Sequence, residues 1–417
     1  MTHRVTSADI ASIVSLLATA VIMLLANGLQ GTLVPVRAHE AGFTDTELSL
    51  IGAAYFAGFV TGCVLGPHLI HRVGHIRSFA ILGALTAATI LVHALIVSPI
   101  VWAGLRAMIG FCAAGMFVIL EGWLNQKARN EIRGRIFTTY AALNNLALLA
   151  GQYLFTLGDP KSHELFSIVA ILTMLCLVPV GATRQPEPHR THLVKLRPQR
   201  LYGLSPVGAV GAVAVGLVSG AFWTLAPVFA HARGMSGDNV ALFMAVVILG
   251  GALAQFPLGR ASDFADRRLV IGIAAAAAAF AGVMLAIPAP FGIANATWLL
   301  MGGFLFGATA FPIGSLTNAH LNDHAQRDEM TEVANSNLFL YGLAAAIGPL
   351  FAAVVINTAG LSAIFFYTAT IHALFVAFVL VRVMMRAPVA PADRTKFEPA
   401  PQPAAPVHLK PEPSPGK

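Results

Sequence analysis

Long apolar runs alternate with short polar breaks along the whole chain, and the length of the runs sets the architecture. Runs bounded by charges, glycine or proline fall at 11–36, 47–70, 76–98, 100–125, 135–158 and 163–183. After a polar interval they resume at 204–230, 238–259, 269–288, 294–320, 331–357 and 360–385. About 20 apolar residues in a helix cross the hydrocarbon core of a bilayer, so each run is read as one crossing. The pattern predicts an all-α membrane protein with twelve transmembrane helices: an N-terminal six-helix bundle over 1–183, a linker over 184–203 and a C-terminal six-helix bundle over 204–386. The first run is too long for a signal-peptide core and is read as a retained helix. Residues 387–417 are rich in proline and are expected to form a disordered tail, because such a segment cannot bury a core.

The two bundles are copies of one another. A constant offset carries Thr32, Leu33, Pro35, Val36, Ala38, His39 and Gly42 onto Thr224, Leu225, Pro227, Val228, Ala230, His231 and Gly234. Shared hydrophobicity does not explain repeated proline and histidine, so duplication does. The same offset pairs Gly28 with Gly220, Gly110 with Gly302, Gly115 with Gly307 and Asn145 with Asn337, which predicts an ungapped repeat through five spans. Six-plus-six parallel repeats place a substrate site between the halves near the membrane midplane, so the bundles are expected to be pseudo-symmetric.

Composition supports this reading and excludes others. Hydrophobic residues make up 57% of the chain and charged residues 11%, too apolar for a soluble domain. The net charge of +7 does not indicate nucleic acid, because the basic residues lie between apolar runs rather than along one solvated face. With both termini cytoplasmic, Arg37, Lys161 and Arg233 fall on the outside and Arg106 falls within the fourth span, while the other basic residues are inside, as the positive-inside bias requires. Cys63, Cys112 and Cys176 all fall in spans and read as small buried hydrophobes, with no disulfide or metal framework. No metal or cofactor is expected. His320 with Asn318, Asn322 and Asp323 is a polar cluster whose spacing matches no strong metal-ligand motif and suits helix capping or binding of the adjacent loop.

Short motifs add a family resemblance. The loop after the eighth span reads Gly259-Arg260-Ala261-Ser262-Asp263-Phe264-Ala265-Asp266-Arg267-Arg268, which resembles the signature loop of the major facilitator superfamily of secondary transporters. The loop after the second span keeps Arg72 and Gly74 but has His71 where the family has an acid. By that resemblance, Arg72, Gly74, Gly259, Asp263, Arg267 and Arg268 form a cytoplasmic gate. Arg106-Ala107-Met108-Ile109-Gly110 is similar to the family's Arg-x-x-x-Gly motif of proton-coupled members. Together with Glu121-Gly122-Trp123, Tyr341-Gly342 and Gly348-Pro349, the pattern looks most like the bacterial YcaD-type branch. The resemblance implies alternating access, a bacterial inner membrane, and a monomer.

Charged groups inside a bilayer are costly, so each is a functional candidate. Arg106 and Glu121 are the Arg and the carboxylate lying well inside the spans. Both lie on the fourth span, about 22 Å apart along the helix axis, too far for a direct ion pair. They share a broad face with Gly110 and Phe117 that is expected to line the central cavity. Glu121 is expected to carry the coupling proton, and Arg106 to steady the pathway. Its position near the end of the span, close to Trp123, leaves a purely structural role for Glu121 open. Asn27 and Gln30 share a face of span one. Asn144, Asn145 and Gln152 in span five, Phe222 and Trp223 in span seven, and Asn335, Asn337 and Tyr341 in span eleven are further candidates for contact with substrate, with helix packing as the alternative.

No phosphate-cradling loop or paired-carboxylate site marks the chain as an ATPase or an enzyme. The expected function is proton-coupled transport of a small organic solute or drug. A uniporter and a non-transporting sensor on the same fold are the alternatives.

Overall fold

The computed structural model describes residues 7–127, 133–182, 197–290, 292–326 and 329–387, with Val389, Arg394, Thr395 and Phe397. Most of the linker and of the tail lies outside the described residues. The N half consists of α1 (Ser7–Glu40), α2 (Asp45–Val73), α3 (His75–Leu95), α4 (Pro99–Lys127), α5 (Arg133–Leu154), α6 (Glu164–Leu175) and α7 (Leu177–Gly181). After a short helix α8 (Pro198–Leu204), the C half follows with α9 (Pro206–Ala232), α10 (Gly237–Phe264), α11 (Arg267–Ala286), α12 (Asn295–Asn322), α13 (Met330–Ala359) and α14 (Ala363–Met385).

Among the described residues, eleven segments are long and apolar enough to cross a membrane, with α6 and α7 acting as one. The remaining crossing is α5. It is less apolar because it carries Thr138, Thr139, Tyr140, Asn144, Asn145 and Gln152. The sixth crossing breaks beside Pro179, which has no N–H to continue the helical ladder. Local signals set several ends. Thr44 and Glu47 form a capping box that starts α2. Gly74, at φ 96°, turns the chain between α2 and α3 in a conformation that disfavours a side chain. Ser205 caps α9 with Pro206 in its first turn.

Lipid gives helices no hydrophobic reason to associate, so small residues that let backbones touch fix the pairing. A Cβ on Gly110 of α4 would overlap the Tyr55 carbonyl of α2, and one on Gly58 would overlap Ala107. In the C half, Gly307 of α12 meets the Val247 carbonyl and Gly250 of α10 meets Phe304. Gly28 of α1 sits on Leu148 of α5, and Gly220 of α9 sits on Ala345 of α13. Gly151 and Gly348 return these contacts to Leu25 and Leu217.

These paired contacts correct the ungapped repeat. Spans one and two map onto seven and eight by the offset that takes Gly28 to Gly220 and Tyr55 to Val247. In spans four and five, however, the partner of Gly110 is Gly307 rather than Gly302, and that of Gly151 is Gly348. The same step takes Glu121 to Asn318 and Tyr140 to Asn337, so Asn145 and Asn337 are not equivalent. The cause is the connection at 287–294, which is longer than its counterpart at 96–98; insertions in such loops leave helix packing intact.

The halves meet on the side of the bundle opposite the chain termini. There His39 and His231, related by the repeat, make an edge-on ring contact at 5.8 Å. Glu40 lies 3.8 Å from His231, Asn357 donates to Thr46 at 3.0 Å, and Gly52 receives the Thr224 side chain. On the terminal side, α4 has no substantial packing against α12 or α13 among the described residues.

The signature loop of the C half builds a polar corner on the terminal side. Buried Arg267 pairs with Asp323 at 2.9 Å and with Asp263 at 3.1 Å. Arg268 holds Asp266 at 2.8 Å and donates to the carbonyls of Arg382 and Arg386 at the end of α14. Burial by itself would raise the Asp266 carboxyl, but the hydrogen bonds and charge of Arg268 outweigh it and hold the group below its ordinary value. Its contribution to stability is therefore lost as pH falls through that lowered value. The expected disordered tail has an ordered portion here. Thr395 donates to Asp323 from its N and its Oγ1, its carbonyl accepts from Arg267, and the Phe397 N–H reaches Asp263. Gly259 leaves room for the Phe397 ring. The tail is held because these carboxylates retain acceptor capacity beyond their arginine pairs. In the N half, Arg72 and His71 are exposed.

Two outcomes test this packing. Gly110→Ala lowers the thermal unfolding midpoint in detergent, at a cost of about 1–3 kcal/mol for overpacking, whereas Gly104→Ala, which faces open space, does not. Asp323→Ala removes the fully buried carboxylate partner of Arg267 and leaves it only the more exposed Asp263; it costs up to about 3–5 kcal/mol, and the double change Arg267→Met/Asp323→Leu recovers part of the loss.

Candidate functional site

A cavity opens between the halves where α1, α2, α4, α5 and α9 converge. Its polar lining comes from Asn27, Tyr55, Arg106, Gln152, Trp223 and Thr224, and its apolar wall includes Val34, Ile51, Phe56 and Leu148. The sequence singles out four of the polar groups, Asn27, Arg106, Gln152 and Trp223, from four different helices. Tyr55 is not among the sequence candidates, although it holds Arg106 in place: the Arg106 guanidinium lies 4.4 Å from the centre of the Tyr55 ring. The signal was the Arg-x-x-x-Gly motif itself. Its glycine rests on the Tyr55 carbonyl, and that close approach of α4 to α2 carries Arg106 over the phenol.

Arg106 is the unusual charge in this wall. Its Nε finds no acceptor, and no Asp or Glu lines the cavity among the described residues. Desolvating an ion costs several kcal/mol, while a cation–π contact returns about 0.5–2 kcal/mol. The tyrosine alone does not balance the cost. Gln152, by contrast, is engaged at both ends of its amide: it accepts from Thr32 at 2.5 Å and donates to the Gly28 carbonyl at 2.9 Å, tying α5 to α1. Thr224 donates to Gly220 within its own helix. Asn27 stands beside Tyr55, and the Trp223 indole N–H is buried without an acceptor.

The remaining candidates lie elsewhere. Glu121 is 2% exposed and accepts a hydrogen bond of 3.1 Å from Tyr140 of α5. Asn144 lies against the same phenol. Neither Glu121 nor Phe117 lines the cavity. Phe117 is buried in an apolar cluster that includes Leu120, Trp123 and Tyr140 of the N half and Ile248 and Leu338 of the C half. The face shared by Arg106, Gly110, Phe117 and Glu121 is therefore divided, with Arg106 at the cavity, Gly110 against α2 and Glu121 beside Tyr140. Phe222 stacks on Phe306 within the C half, and Gln30 is buried. Asn145 is half-buried on α5. Tyr341 approaches Tyr55 from the other half. Asn337 donates to Asn318, and by the repeat register this bond is the C-half copy of Tyr140 to Glu121. The carboxylate–phenol pair in one half is thus an amide–amide pair in the other. The three cysteines all lie in the N half and are free, with Cys112 and Cys176 buried and Cys63 partly so.

Comparison with known proteins agrees with this architecture. The family model described as Major Facilitator Superfamily matches residues 16–209 and again 208–413, once per half. The MFS-type transporter YcaD of Escherichia fergusonii is 24% identical over 373 residues, covering 88% of this chain and 94% of the relative, and that of Escherichia coli K12 is also 24% identical over the same span. Among solved structures, the nucleoside transporter NupG superposes with a TM-score of 0.74 at 13% identity, covering 90% of this chain and 99% of that one. The D-xylose-proton symporter superposes with a TM-score of 0.67 at 16% identity, covering 89% and 96%. With a family model spanning both halves and a cavity between them, this multi-pass membrane chain belongs to the Major Facilitator Superfamily.

Proposed function

We propose that the protein is a secondary active transporter that moves a small organic solute by alternating access and couples the movement to protons. One observation carries the reading. Each half is knit internally by backbone-to-backbone helix pairs, while the halves meet at the ends opposite the termini around a partly polar cavity. Two rigid bodies with a shared site and one closed side are the elements that rocking requires. The named functions of similar structures, a nucleoside transporter and a D-xylose-proton symporter, support a small polar solute. The bias of Lys and Arg supports cytoplasmic termini, and on that reading the closed side faces outward. On this reading the chain works as a monomer in the bacterial inner membrane, with Asp263, Arg267 and Arg268 belonging to the cytoplasmic gate and Arg72 and Gly74 to its counterpart in the N half.

Glu121 is the proton site in this proposal. It is a carboxyl group buried between α4 and α5 that accepts from Tyr140, and it exchanges its proton when the halves move and water reaches it. Arg106 is too distant to pair with it and serves the solute.

Two experiments test these claims. In a background with Cys63, Cys112 and Cys176 replaced by alanine, Thr46→Cys/Asn357→Cys is expected to cross-link with a short thiol reagent and stop transport; persistent transport after complete cross-linking rules out opening at this end. In proteoliposomes, uptake of a solute selected by ligand-stability screening is accelerated by an imposed pH gradient. Glu121→Gln retains solute exchange but loses at least about tenfold of the gradient-driven rate. Full gradient-driven uptake by this variant would remove Glu121 from coupling, and a wild-type protein indifferent to the gradient would be a uniporter.

A further inference from the structure

The proposed transport reading leaves the solute open, and the chemistry of the cavity narrows it. Two of the groups in its wall are hydrogen-bond donors with nothing to donate to: the Nε of Arg106 and the indole N–H of Trp223. The hydroxyl and amide groups around them are largely used by the protein. Thr224 is bonded to Gly220, and Gln152 is bonded at both ends to α1. The wall therefore offers a positive charge and spare donors, with no carboxylate among the described residues to meet them. A cationic solute would face repulsion from Arg106, and a neutral one would leave the guanidinium charge uncompensated.

We infer that the cavity is a site for an organic monoanion, most simply a carboxylate, whose oxygens meet Arg106 while its apolar part lies along Phe56 and Trp223. A guanidinium presents donors in a planar fork that suits a carboxylate. One positive charge matches one negative charge; a phosphate dianion would leave excess charge in a wall that includes Leu148, Ile51 and Val34. Tyr55 fixes the guanidinium from its ring face, which leaves the edge of the fork available. The two halves contribute jointly, with Arg106 from the N half and Trp223 from the C half, so an anion bridging them would couple binding to their relative position.

This inference rests on the transport reading for its biological meaning, but its test is a binding measurement. The full chain in nanodiscs of uncharged phosphatidylcholine is titrated with benzoate, its neutral isostere benzamide, and inorganic phosphate, and the thermal unfolding midpoint is followed. Benzoate at millimolar concentration is expected to raise the midpoint, with benzamide and phosphate having little effect. Arg106→Gln should weaken benzoate binding at least about tenfold, and Arg106→Lys should keep the preference for benzoate over benzamide at lower affinity. The lysine variant guards against a glutamine variant that fails to fold. Equal stabilisation by benzamide, full benzoate binding by Arg106→Gln, loss of acid-over-amide preference in Arg106→Lys, stronger binding of phosphate, or no effect of benzoate on the wild type would each overturn it. Benzoate binding that depends on Arg106 in a protein that carries no solute across the membrane would sustain the anion site and refute the transport reading instead.

Discussion

The close approach of helix backbones at glycine is the constraint on which the rest of this structure depends. Between apolar helices in lipid, association has to come from contact rather than from exclusion of water, and four pairs make that contact in the tightest way available. Gly110 with Gly58, Gly307 with Gly250, Gly28 with Gly151, and Gly220 with Gly348 bring carbonyls of one helix against the Cα of another. No side chain fits between them. Each half is therefore tied together internally by backbone contact, and the surface between halves is held by side chains instead.

That constraint also places the chemistry. Because α4 lies directly on α2, Arg106 crosses over Tyr55 instead of extending to the membrane surface. Because α5 lies directly on α1, Gln152 spans to Gly28 and Thr32 and completes the wall. A long cationic side chain in a bilayer ordinarily reaches for the interface. Here it is kept within the protein, at a cost that the aromatic contact only partly offsets.

Duplication has left two copies of the packing but not of the polar groups. Glu121 and Tyr140 in the N half correspond to Asn318 and Asn337 in the C half, joined by a bond at the same helix pair. An ionisable pair and a neutral pair at equivalent positions give the molecule chemical asymmetry inside geometric symmetry. The far ends kept their likeness instead, and His39 meets His231 across the pseudo-axis. On the terminal side the C half alone has the acid of the signature loop, so Asp263, Arg267 and Asp323 form a corner there that also receives the tail, while His71 and Arg72 remain exposed.

The sequence by itself determined the class of fold, the number of crossings and the division into halves, because each follows from run length and repetition, which are properties of the chain in one dimension. It also marked Arg106 and Glu121, since a charge among apolar residues stands out wherever it points. Only the tertiary structure decided what these charges touch. Tyr55 carries no charge and follows no spacing rule, so its partnership with Arg106 depends on how closely α2 and α4 pack. The face expected to hold Arg106 and Glu121 together is split for the same reason: helical periodicity gives an azimuth, whereas a cavity is bounded by neighbouring helices. The true register of spans four and five was hidden because a loop insertion shifts residue numbers without shifting contacts, and alanine, glycine and leucine match by chance at the wrong offset. The ordered part of the tail escaped prediction because composition describes what a segment can bury alone, and Phe397 is held by what Gly259 and Asp263 offer it.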